Sequence, residues 1–327
     1  MKPIRVLVER GGEPESVHQV YGCVVHRNKG HSFSFGDPGH TSFWRSSMKP
    51  FQAVRATEEG MFEKLGLGVE ALALACASHH GTARHLKIVR TILSAAGVDE
   101  EGLACGAHRP MDKKAARMLD EAGQLPRRIH NNCSGKHAAM LAFSRFQGWP
   151  LEGYHQRAHP LQHAIREELA RWLEPEPDAL MWGSDGCGVP TPALSLEEMA
   201  RAYSRFGSSG KVGPKKIIEA MTTNPTLVSG DTAFSANIML ATRGRILGKE
   251  GAEGVFCLTC PNDGWGAAFK VADGAMRAIG PAVVHGLVGL DLLDGSDTNR
   301  LGHFREPEIE NTRGELVGRL RVVSEFD

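Results

Sequence analysis

Residues 4–26, IRVLVERGGEPESVHQVYGCVVH, decide how the chain begins to fold. Apolar and polar residues alternate along this stretch, and it is rich in the β-branched and aromatic residues that strands favour. A pair of glycines interrupts the alternation and predicts a turn. The stretch and the residues after it predict three strands and two turns, namely Ile4–Val8, Gly11-Gly12, Gln19–His26, Asn28-Lys29-Gly30 and Ser32–Phe35.

Strand patterns return near the other end of the chain. They predict strands at Gly254–Cys260, Gly266–Ala272 and Glu315–Val323, with a long helix at Gly274–Leu293. From about residue 49 to 175, apolar residues follow helical spacing, and Gly, Pro or Asn-Asn separates the helices. Strands at both ends with helices between them predict an α+β (two-lobe α/β) fold, with one sheet built from the N- and C-terminal strands and a helical middle region.

A chain of 327 residues can bury one large core or two modest ones. We expect a single domain over residues 1–327. Its sheet lobe would comprise about residues 1–60 plus 190–327, and its helical lobe about residues 61–189.

The charge balance excludes several classes of partner. Lys and Arg together number 38, and Asp and Glu together number 38, so the formal net charge is zero. Nucleic-acid and anionic-membrane partners require a basic surplus, which this chain lacks. No apolar stretch approaches the roughly 18 residues of a membrane helix, and the chain begins without a basic-then-apolar leader. We therefore expect no nucleic-acid partner, no membrane partner and a cytoplasmic location.

Seven cysteines are scattered along the chain. An odd number in a long chain without a leader indicates a reducing compartment. We therefore interpret these cysteines as core residues, metal ligands or reactive groups in preference to members of disulfide bonds.

The segment RSSMKPFQ, residues 45–52, contains a candidate nucleophile and base. Pro50 fits the first turn of a helix, which would place Ser46 and Lys49 on one face. A neutral lysine in this position can take the proton of a serine hydroxyl, as in the Ser-x-x-Lys element of penicillin-binding enzymes. Arg45 is a candidate substrate-binding residue in the same segment.

A second serine, Ser78, follows an apolar element in ASHHGT, residues 77–82. It is either a reactive residue or the cap of the next helix, with Gly81 turning the chain. His79, His80 and His85 match no familiar set of metal ligands, so we expect His80 and His85 to serve in packing and hydrogen bonding.

Two further segments combine cysteine with small and polar residues. In HNNCSGKH, residues 130–137, Cys133 and Lys136 would share one face of a helix start, and the phosphate-loop pattern is not met. In GSDGCGVP, residues 183–190, Asp185 could bind an amino group and Cys187 could be a thiolate ligand. Either segment could instead be an ordinary capped helix or turn with an incidental cysteine.

Lys249 lies in GKEGAEG, residues 248–254, before an apolar strand. It resembles the lysine of the Lys-Thr-Gly element in the same serine enzymes, although a plain hairpin loop is the alternative.

Taken in order, these segments resemble the rhizobial-type L-asparaginase family, also called the asparaginase II family, which is related in fold to serine β-lactamases and glutaminases. The matching blocks run from residue 8 to about 255 and are VERGGEPESVH, RSSMKPFQA, LALACASHHG, CGAHRP, NNCSGKHAAMLA, HPLQ, DGCGVPTPALSL and KEGAEGV.

The resemblance implies two Ser–Lys pairs. The first maps on Ser46 and Lys49, and Ser78 maps on the second serine. Its lysine is assigned to Lys249, with Lys270 as the competitor. This chain has Glu250 where the family commonly has Thr or Ser after that lysine.

The resemblance also implies a zinc ion held by two cysteines and a lysine, which match Cys133, Lys136 and Cys187. His137 and Asp185 match residues near the metal and substrate. A lysine ligand must be neutral, so its pKa has to fall beside Zn²⁺. A homodimer is implied as well.

The expected reaction is hydrolysis of L-asparagine to L-aspartate and ammonia through an acyl-enzyme. Either Ser46 or Ser78 attacks, with a preference for Ser78 activated by Ser46 and Lys49. Because the base is a neutral lysine, activity should rise towards alkaline pH. We expect the zinc ion to position Asp185, His137 and the substrate.

Three alternatives stay open at this point. A glutaminase or other amide hydrolase of the same fold would differ in the depth of its substrate pocket. Asparagine and glutamine differ by one methylene, and a pocket discriminates such a difference by only about 1–3 kcal/mol of binding free energy. A cysteine amidase could use Cys133 with His137. A non-catalytic, zinc-stabilised amino-acid-binding protein would bind asparagine without releasing ammonia.

Overall fold

The structure is a computed structural model that describes residues 1–27 and 32–323. The turn predicted at Asn28-Lys29-Gly30 lies outside the described residues. The chain divides into two compact units. The sheet unit comprises Met1–Ser47, Ala193–Ser208 and Asn237–Asp327, and the helical unit comprises Met48–Pro192 and Ser209–Ala236.

The strands of the described residues are β1 (Ile4–Arg10), β2 (Glu13–His26), β3 (Ser32–Phe35), β4 (Thr41–Phe43), β5 (Trp182–Ser184), β6 (Pro190–Ser195), β7 (Leu247–Gly251), β8 (Val255–Cys260), β9 (Trp265–Val271), β10 (Glu308–Glu310) and β11 (Leu316–Val323). The α-helices are α1 (Lys49–Gln52), α2 (Val54–Glu58), α3 (Met61–Lys64), α4 (Val69–Ala75), α5 (Ala83–Ala96), α6 (Lys113–Glu121), α7 (Ser134–Phe146), α8 (Pro160–Leu169), α9 (Leu196–Gly207), α10 (Val212–Thr223), α11 (Pro225–Val228), α12 (Phe234–Ala241), α13 (Ile279–Gly289), α14 (Gly295–Arg300) and α15 (Gly302–Arg305).

The sheet unit is built on an antiparallel sheet from both ends of the chain. Its strand order is β10-β11-β1-β2-β9-β8-β7, and β3 pairs with β2. The N-terminal β1 pairs with the C-terminal β11, and β2 pairs with β9. The predicted α+β fold with a sheet from both termini is therefore confirmed.

Helices cover both faces of the central strands. Helix α9 packs on β2, β8 and β9, and α13 packs on β1, β2, β9 and β11. A Cβ atom on Gly266 of β9 would lie 2.2 Å from the backbone of α9, so only glycine permits this approach. Because both faces are covered, every residue of β8 and β9 is buried, and these strands are apolar runs.

The helical unit is centred on α7. Every residue from Ser134 to Ser144 of this helix is buried, with α4, α5, α3 and α8 packed around it. Its sequence is apolar on all sides after the first turn, as expected for a helix with no solvent face. Both the start of α7 and the end of α4 carry the polar residues of the candidate site.

Two predictions of organisation differ from the structure. The compact units place residues 48–60 and 209–236 with the helices, whereas the predicted lobes placed them with the sheet; the single domain stays a prediction. The helix predicted at Gly274–Leu293 is wrong at both ends, because α13 spans only Ile279–Gly289 after a 3-10 turn. Positive φ at Gly274 (+80°) and Asp291 (+56°) bends the chain on either side.

Across the described ranges 1–27 and 32–323, no helix has the length and apolarity that crossing a membrane requires.

Candidate active site

Ser78 and Lys49 form a buried pair inside the helical unit. Lys49 Nζ donates hydrogen bonds to Ser78 Oγ at 3.0 Å and to the Ala77 carbonyl at 2.6 Å. Ser78 is 6% exposed and Lys49 is 1% exposed. Pro50 occupies the first turn of α1 and fixes the direction in which Lys49 enters the helix. An amine in this position, once neutral, can accept the hydroxyl proton of the serine.

The backbone N–H groups of Ser78, His79 and His80 all donate hydrogen bonds to carbonyl oxygens. Its N–H donates to the Val228 carbonyl at 2.8 Å, and the N–H of His80 donates to the Ser229 carbonyl at 2.8 Å. The N–H of His79 donates to the Asn132 carbonyl at 3.0 Å. These bonds hold the serine in place, and they leave none of the three N–H groups for a charged oxygen of a bound ligand.

The alternative that Ser78 caps the next helix is wrong. Thr82 caps α5, because its side chain accepts from the N–H of His85 while the His85 ring accepts from the N–H of Thr82. The expected structural role of His85 is confirmed by this contact. Burial, first of all, lowers the pKa of His85 to about 4.

The buried ring of His79 stabilises the same loop through two hydrogen bonds. Its Nδ1 accepts from the N–H of Gly81 at 3.1 Å, so Nε2 carries the proton and donates to Ser134 Oγ at 2.8 Å. Ser134 Oγ in turn donates to the Ile129 carbonyl. Burial and the nearby charges of His85 and Lys49 hold the pKa of His79 well below its usual range. His79 is thus a neutral structural link between Ser78 and the start of α7.

Cys133, Lys136 and Cys187 converge within the helical unit. Cys133 precedes α7, and Lys136 Nζ donates to Cys187 Sγ at 2.9 Å. The three side chains are at most 5% exposed. Gly135 lets the helix start approach α4, since a Cβ there would lie 2.5 Å from the Leu74 carbonyl. The glycine that resembled part of a phosphate loop therefore has a packing role.

Cys133 and Cys187 have pKa values shifted in opposite directions. Their mutual hydrogen bond, together with burial, raises the pKa of Cys133 to about 12. The same bond, and then the charge of Lys136, lowers the pKa of Cys187 to about 5 against the opposing effect of burial. Burial disfavours the charge of Lys136, but the thiolate charges outweigh it and raise its pKa. These shifts favour a thiolate at Cys187 over one at Cys133.

Asp185 approaches this cluster from the loop between β5 and β6. Its Oδ2 lies 3.7 Å from Cys187 Sγ, and its Oδ1 accepts from the N–H of Gly186. The loop is closed by the N–H of Asp185, which donates to the Val189 carbonyl, and by the N–H of Gly188, which donates to the Asp185 carbonyl; Gly188 adopts a φ of +86°. The glycines predicted to let this segment bend sharply are therefore used for that purpose.

The donor set fits zinc. Two sulfur ligands and one nitrogen ligand are ordinary chemistry for Zn²⁺, apart from the choice of lysine for the nitrogen. The described residues contain no group of three or more His, Cys, Asp and Glu side chains that could hold a metal ion. The proposed set differs from such groups in using a lysine.

His137 is fully buried one residue after Lys136. Its Nδ1 lies 2.6 Å from Tyr154 Oη, and its Nε2 has no hydrogen-bond partner among the described residues. Burial, then the charge of Lys136, holds the pKa of His137 well below its usual range. Since Nδ1 is bound to Tyr154, the structure does not show the Cys133–His137 pair of a cysteine amidase.

The remaining candidates lie in the sheet unit. Arg45 and Ser46 are half-buried at the start of a 3-10 helix, and Arg45 has a φ of +55°, a costly conformation for a residue with a Cβ. The neighbouring Ser47 is fully buried, and its Oγ donates to the Lys249 carbonyl at 3.0 Å. Strained backbone at a candidate substrate-binding residue is typical of functional sites.

Lys249 lies inside β7, not in a loop. It is fully buried opposite Cys257, and its Nζ donates to the carbonyl and side chain of Glu250 at 2.9 and 3.1 Å. Lys270, two strands away, donates to the Val271 carbonyl of its own strand. Burial lowers the pKa of Lys270, opposed by Glu253 and Asp273.

The structure therefore brings together Lys49 with Ser78, and Cys133, Lys136 and Cys187 with Asp185. It places Lys249 next to the segment that carries Ser46. Sequence reasoning missed Tyr154, which follows Gly153 in an irregular stretch and offers no motif, and it missed the contact of Ser47 with Lys249.

Comparison with models of known protein families identifies one family that the chain matches. The family model described as L-asparaginase II matches residues 6–322. No curated protein matches the sequence.

Two solved structures resemble the chain weakly. One is a protein of Bacteroides dorei DSM 17855 provisionally assigned as a β-lactamase, with 11% identity, a TM-score of 0.42, and coverage of 81% of this chain and 92% of that chain. Another is EstCE1, a hydrolase with promiscuous acyltransferase activity, with 10% identity, a TM-score of 0.37, and coverage of 88% and 93%. The resemblance to the β-lactamase fold in particular stays a prediction.

Proposed function

The chain belongs to the L-asparaginase II family, and from that membership together with the buried Ser–Lys pair we propose that it is an amidohydrolase that converts L-asparagine to L-aspartate and ammonia. Family membership by itself supports a hydrolase acting on a small molecule. The observation that carries the finer proposal is the 3.0 Å hydrogen bond from Lys49 Nζ to Ser78 Oγ.

In the proposed reaction, Ser78 is the nucleophile. Lys49 in its neutral form accepts the hydroxyl proton as Oγ attacks the side-chain amide carbon, and an ester to the enzyme forms as the C–N bond breaks. Lys49 then passes the proton to the departing ammonia, and water hydrolyses the ester. The hydrogen bonds at Ser78 and His80 prevent the serine from moving away from Lys49.

Ser46 and Lys249 complete the proposed catalytic set. Lys249 is preferred to Lys270 because its strand is tied to the Ser46–Ser47 segment through the bond from Ser47 Oγ. Lys270 donates instead to the carbonyl of its own neighbour. In the proposal, Lys249 leaves its ion pair with Glu250 when it takes part in proton transfer.

Cys133, Lys136 and Cys187 are the proposed zinc ligands. Bound Zn²⁺ would supply positive charge that orients substrate and polarises its polar groups. Asp185, 3.7 Å from Cys187 Sγ, is proposed to receive the amino group of the substrate. Arg45 is proposed to bind the substrate carboxylate, and His137 to donate a hydrogen bond.

The proposed setting is a homodimer in the cytoplasm, with L-asparagine as the partner and no nucleic acid or membrane. The seven cysteines are buried thiols that form no disulfide in the described residues, which supports the proposed reducing compartment.

The test is release of ammonia from L-asparagine, and separately from L-glutamine, at pH 7 and pH 9. We expect activity on asparagine that is higher at pH 9, and a fall in kcat of at least about 1,000-fold in S78A because the nucleophile is lost. S94A, which changes an exposed serine of α5, is the matched control.

Near-normal kcat in S78A would refute the serine mechanism. Ammonia mainly from glutamine would keep the site and change the substrate. No ammonia from either substrate in zinc-loaded protein would favour the binding-protein alternative.

A further inference from the structure

Tyr154 is a buried residue that neither the family resemblance nor the reaction above uses. It is 1% exposed, and its Oη has two partners. The N–H of Ala104 donates to Oη at 2.9 Å, and His137 Nδ1 lies 2.6 Å from it. The backbone carbonyl of Tyr154 accepts from Gln162 Nε2 at 2.9 Å, so both ends of the residue are held.

These contacts determine where the ring proton of His137 lies. A tyrosine hydroxyl has one hydrogen to donate, and here Oη already accepts from Ala104. The described residues offer this hydrogen no acceptor other than His137 Nδ1, so we assign the hydrogen to that contact, and Nδ1 is then the unprotonated ring nitrogen. The proton of the neutral ring then lies on Nε2.

His137 Nε2–H is a donor without an acceptor. It is buried, it has no partner among the described residues, and the ring is 0% exposed. A buried polar group without a partner is costly and is rarely retained unless something binds it. His137 directly follows Lys136, a proposed zinc ligand, in the buried first turn of α7, so its ring lies beside the proposed metal site.

The backbone donors nearest to Ser78 cannot take this role. The N–H groups of Ser78, His79 and His80 are all bonded to carbonyl oxygens and cannot stabilise an oxygen that becomes negatively charged when Ser78 attacks.

We infer that Tyr154 is a positioning residue: it fixes the His137 tautomer so that Nε2–H donates a hydrogen bond to an oxygen of the bound amide substrate. This inference rests on the proposed amidohydrolase function. It adds to that function the residue that sets which nitrogen of His137 is the donor.

The direct test does not require activity. In protein labelled with ¹⁵N-histidine, the shifts of Nδ1 and Nε2 distinguish the two tautomers, and loss of one ring in H137Q assigns the signals. We expect His137 to be the Nε2–H form in the unaltered protein and to become a mixture of tautomers in Y154F. Y21F removes a hydroxyl from a tyrosine of β2 and should leave the His137 signals unchanged.

Kinetics provide the second readout. We expect Y154F to lower kcat/KM for L-asparagine by about tenfold, the lower end of the range for residues that orient a catalytic imidazole. The glutamine of H137Q offers an N–H without tautomers, so the effect of Y154F should fall to less than about twofold in the H137Q background. Because Ala104 loses its acceptor in Y154F, a lower Tm is expected and does not count for or against the inference.

Three results would overturn it. One is an Nδ1–H tautomer in the unaltered protein, and another is an unchanged tautomer in Y154F. The third is a Y154F variant whose only defect is weaker zinc binding, with normal kcat/KM once saturated with zinc. Absence of ammonia release by the unaltered protein would instead refute the proposed function, and the NMR result would still decide whether Tyr154 sets the tautomer.

Discussion

The buried thiols of the sheet unit and Cys187 of the helical unit differ in what surrounds them. In the sheet unit, burial raises the pKa of Cys23 and Cys257 to about 12 and of Cys260 to about 11. In the helical unit, Cys187 is buried to a similar degree, yet its pKa falls to about 5 beside Cys133 and Lys136. Burial alone therefore keeps a thiol neutral, and a buried hydrogen-bond donor or cation in contact with the sulfur is what makes it reactive or able to bind a metal.

The largest expected effect is that of replacing Cys187, and the replacement of Cys257 in the sheet unit serves as its comparison. We expect C187S to lower the affinity for zinc by about 1,000-fold or more, because one of three protein ligands is lost, and to reduce asparagine hydrolysis with it. C257S should keep both properties, since Cys257 lies among Trp44, Ser47 and Lys249 in the sheet unit.

Zinc per chain, measured on dialysed protein, and kcat/KM check this comparison. Equal zinc content in C187S and the unaltered protein would remove the proposed metal site. Loss of zinc in C257S would show that the sheet unit contributes to it.

Acid stability is expected to depend on the buried histidines of the helical unit. The pKa of His85 is lowered to about 4 from 6.5, so its neutral ring stabilises the folded protein fully above pH 6.5. That stabilisation is lost as the pH falls from 6.5 through about 4, and it amounts to about 3 kcal/mol.

H85Q should therefore reduce the fall in unfolding free energy between pH 7 and pH 4, while glutamine keeps the capping contact with Thr82. Urea unfolding at both pH values measures it, with H303Q, at an exposed histidine of the sheet unit, as control. An unchanged pH dependence in H85Q would show that the ring is not neutralised by burial.

The smallest expected effect is on alkylation. In protein treated with a chelator, iodoacetamide at pH 7 should modify Cys187 at least about tenfold faster than Cys23, Cys257 or Cys260, because only a thiolate is nucleophilic. Peptide mass mapping over time gives the rates. Equal rates at Cys187 and Cys257 would mean that Lys136 does not activate its neighbour.

Sequence predicted the terminal strands and the site segments because both depend on local patterns. Alternation in residues 4–26 is a property of neighbouring residues, and so are the glycines around Cys187. The helix predicted at Gly274–Leu293 was too long because periodicity does not reveal left-handed residues such as Asp291.

Contacts between distant segments were beyond such patterns. Nothing near Ser78 indicated that Thr82 would take the cap and leave the serine to Lys49. Tyr154 could not be recognised from the sequence for the same reason, because its hydrogen-bond partners Ala104 and His137 lie 50 and 17 residues away in the chain. The resemblance supplied residue types, and the fold supplied the pairings.

The most direct test of the central claim, that Ser78 activated by Lys49 is the nucleophile, is to identify the acylated residue. The enzyme is mixed with L-asparagine, quenched in acid within its first turnovers and mapped by peptide mass spectrometry. We predict an aspartyl ester on the peptide that carries Ser78. An acyl group on Ser46 or Cys133, or ammonia release with no acylated peptide, would contradict the claim.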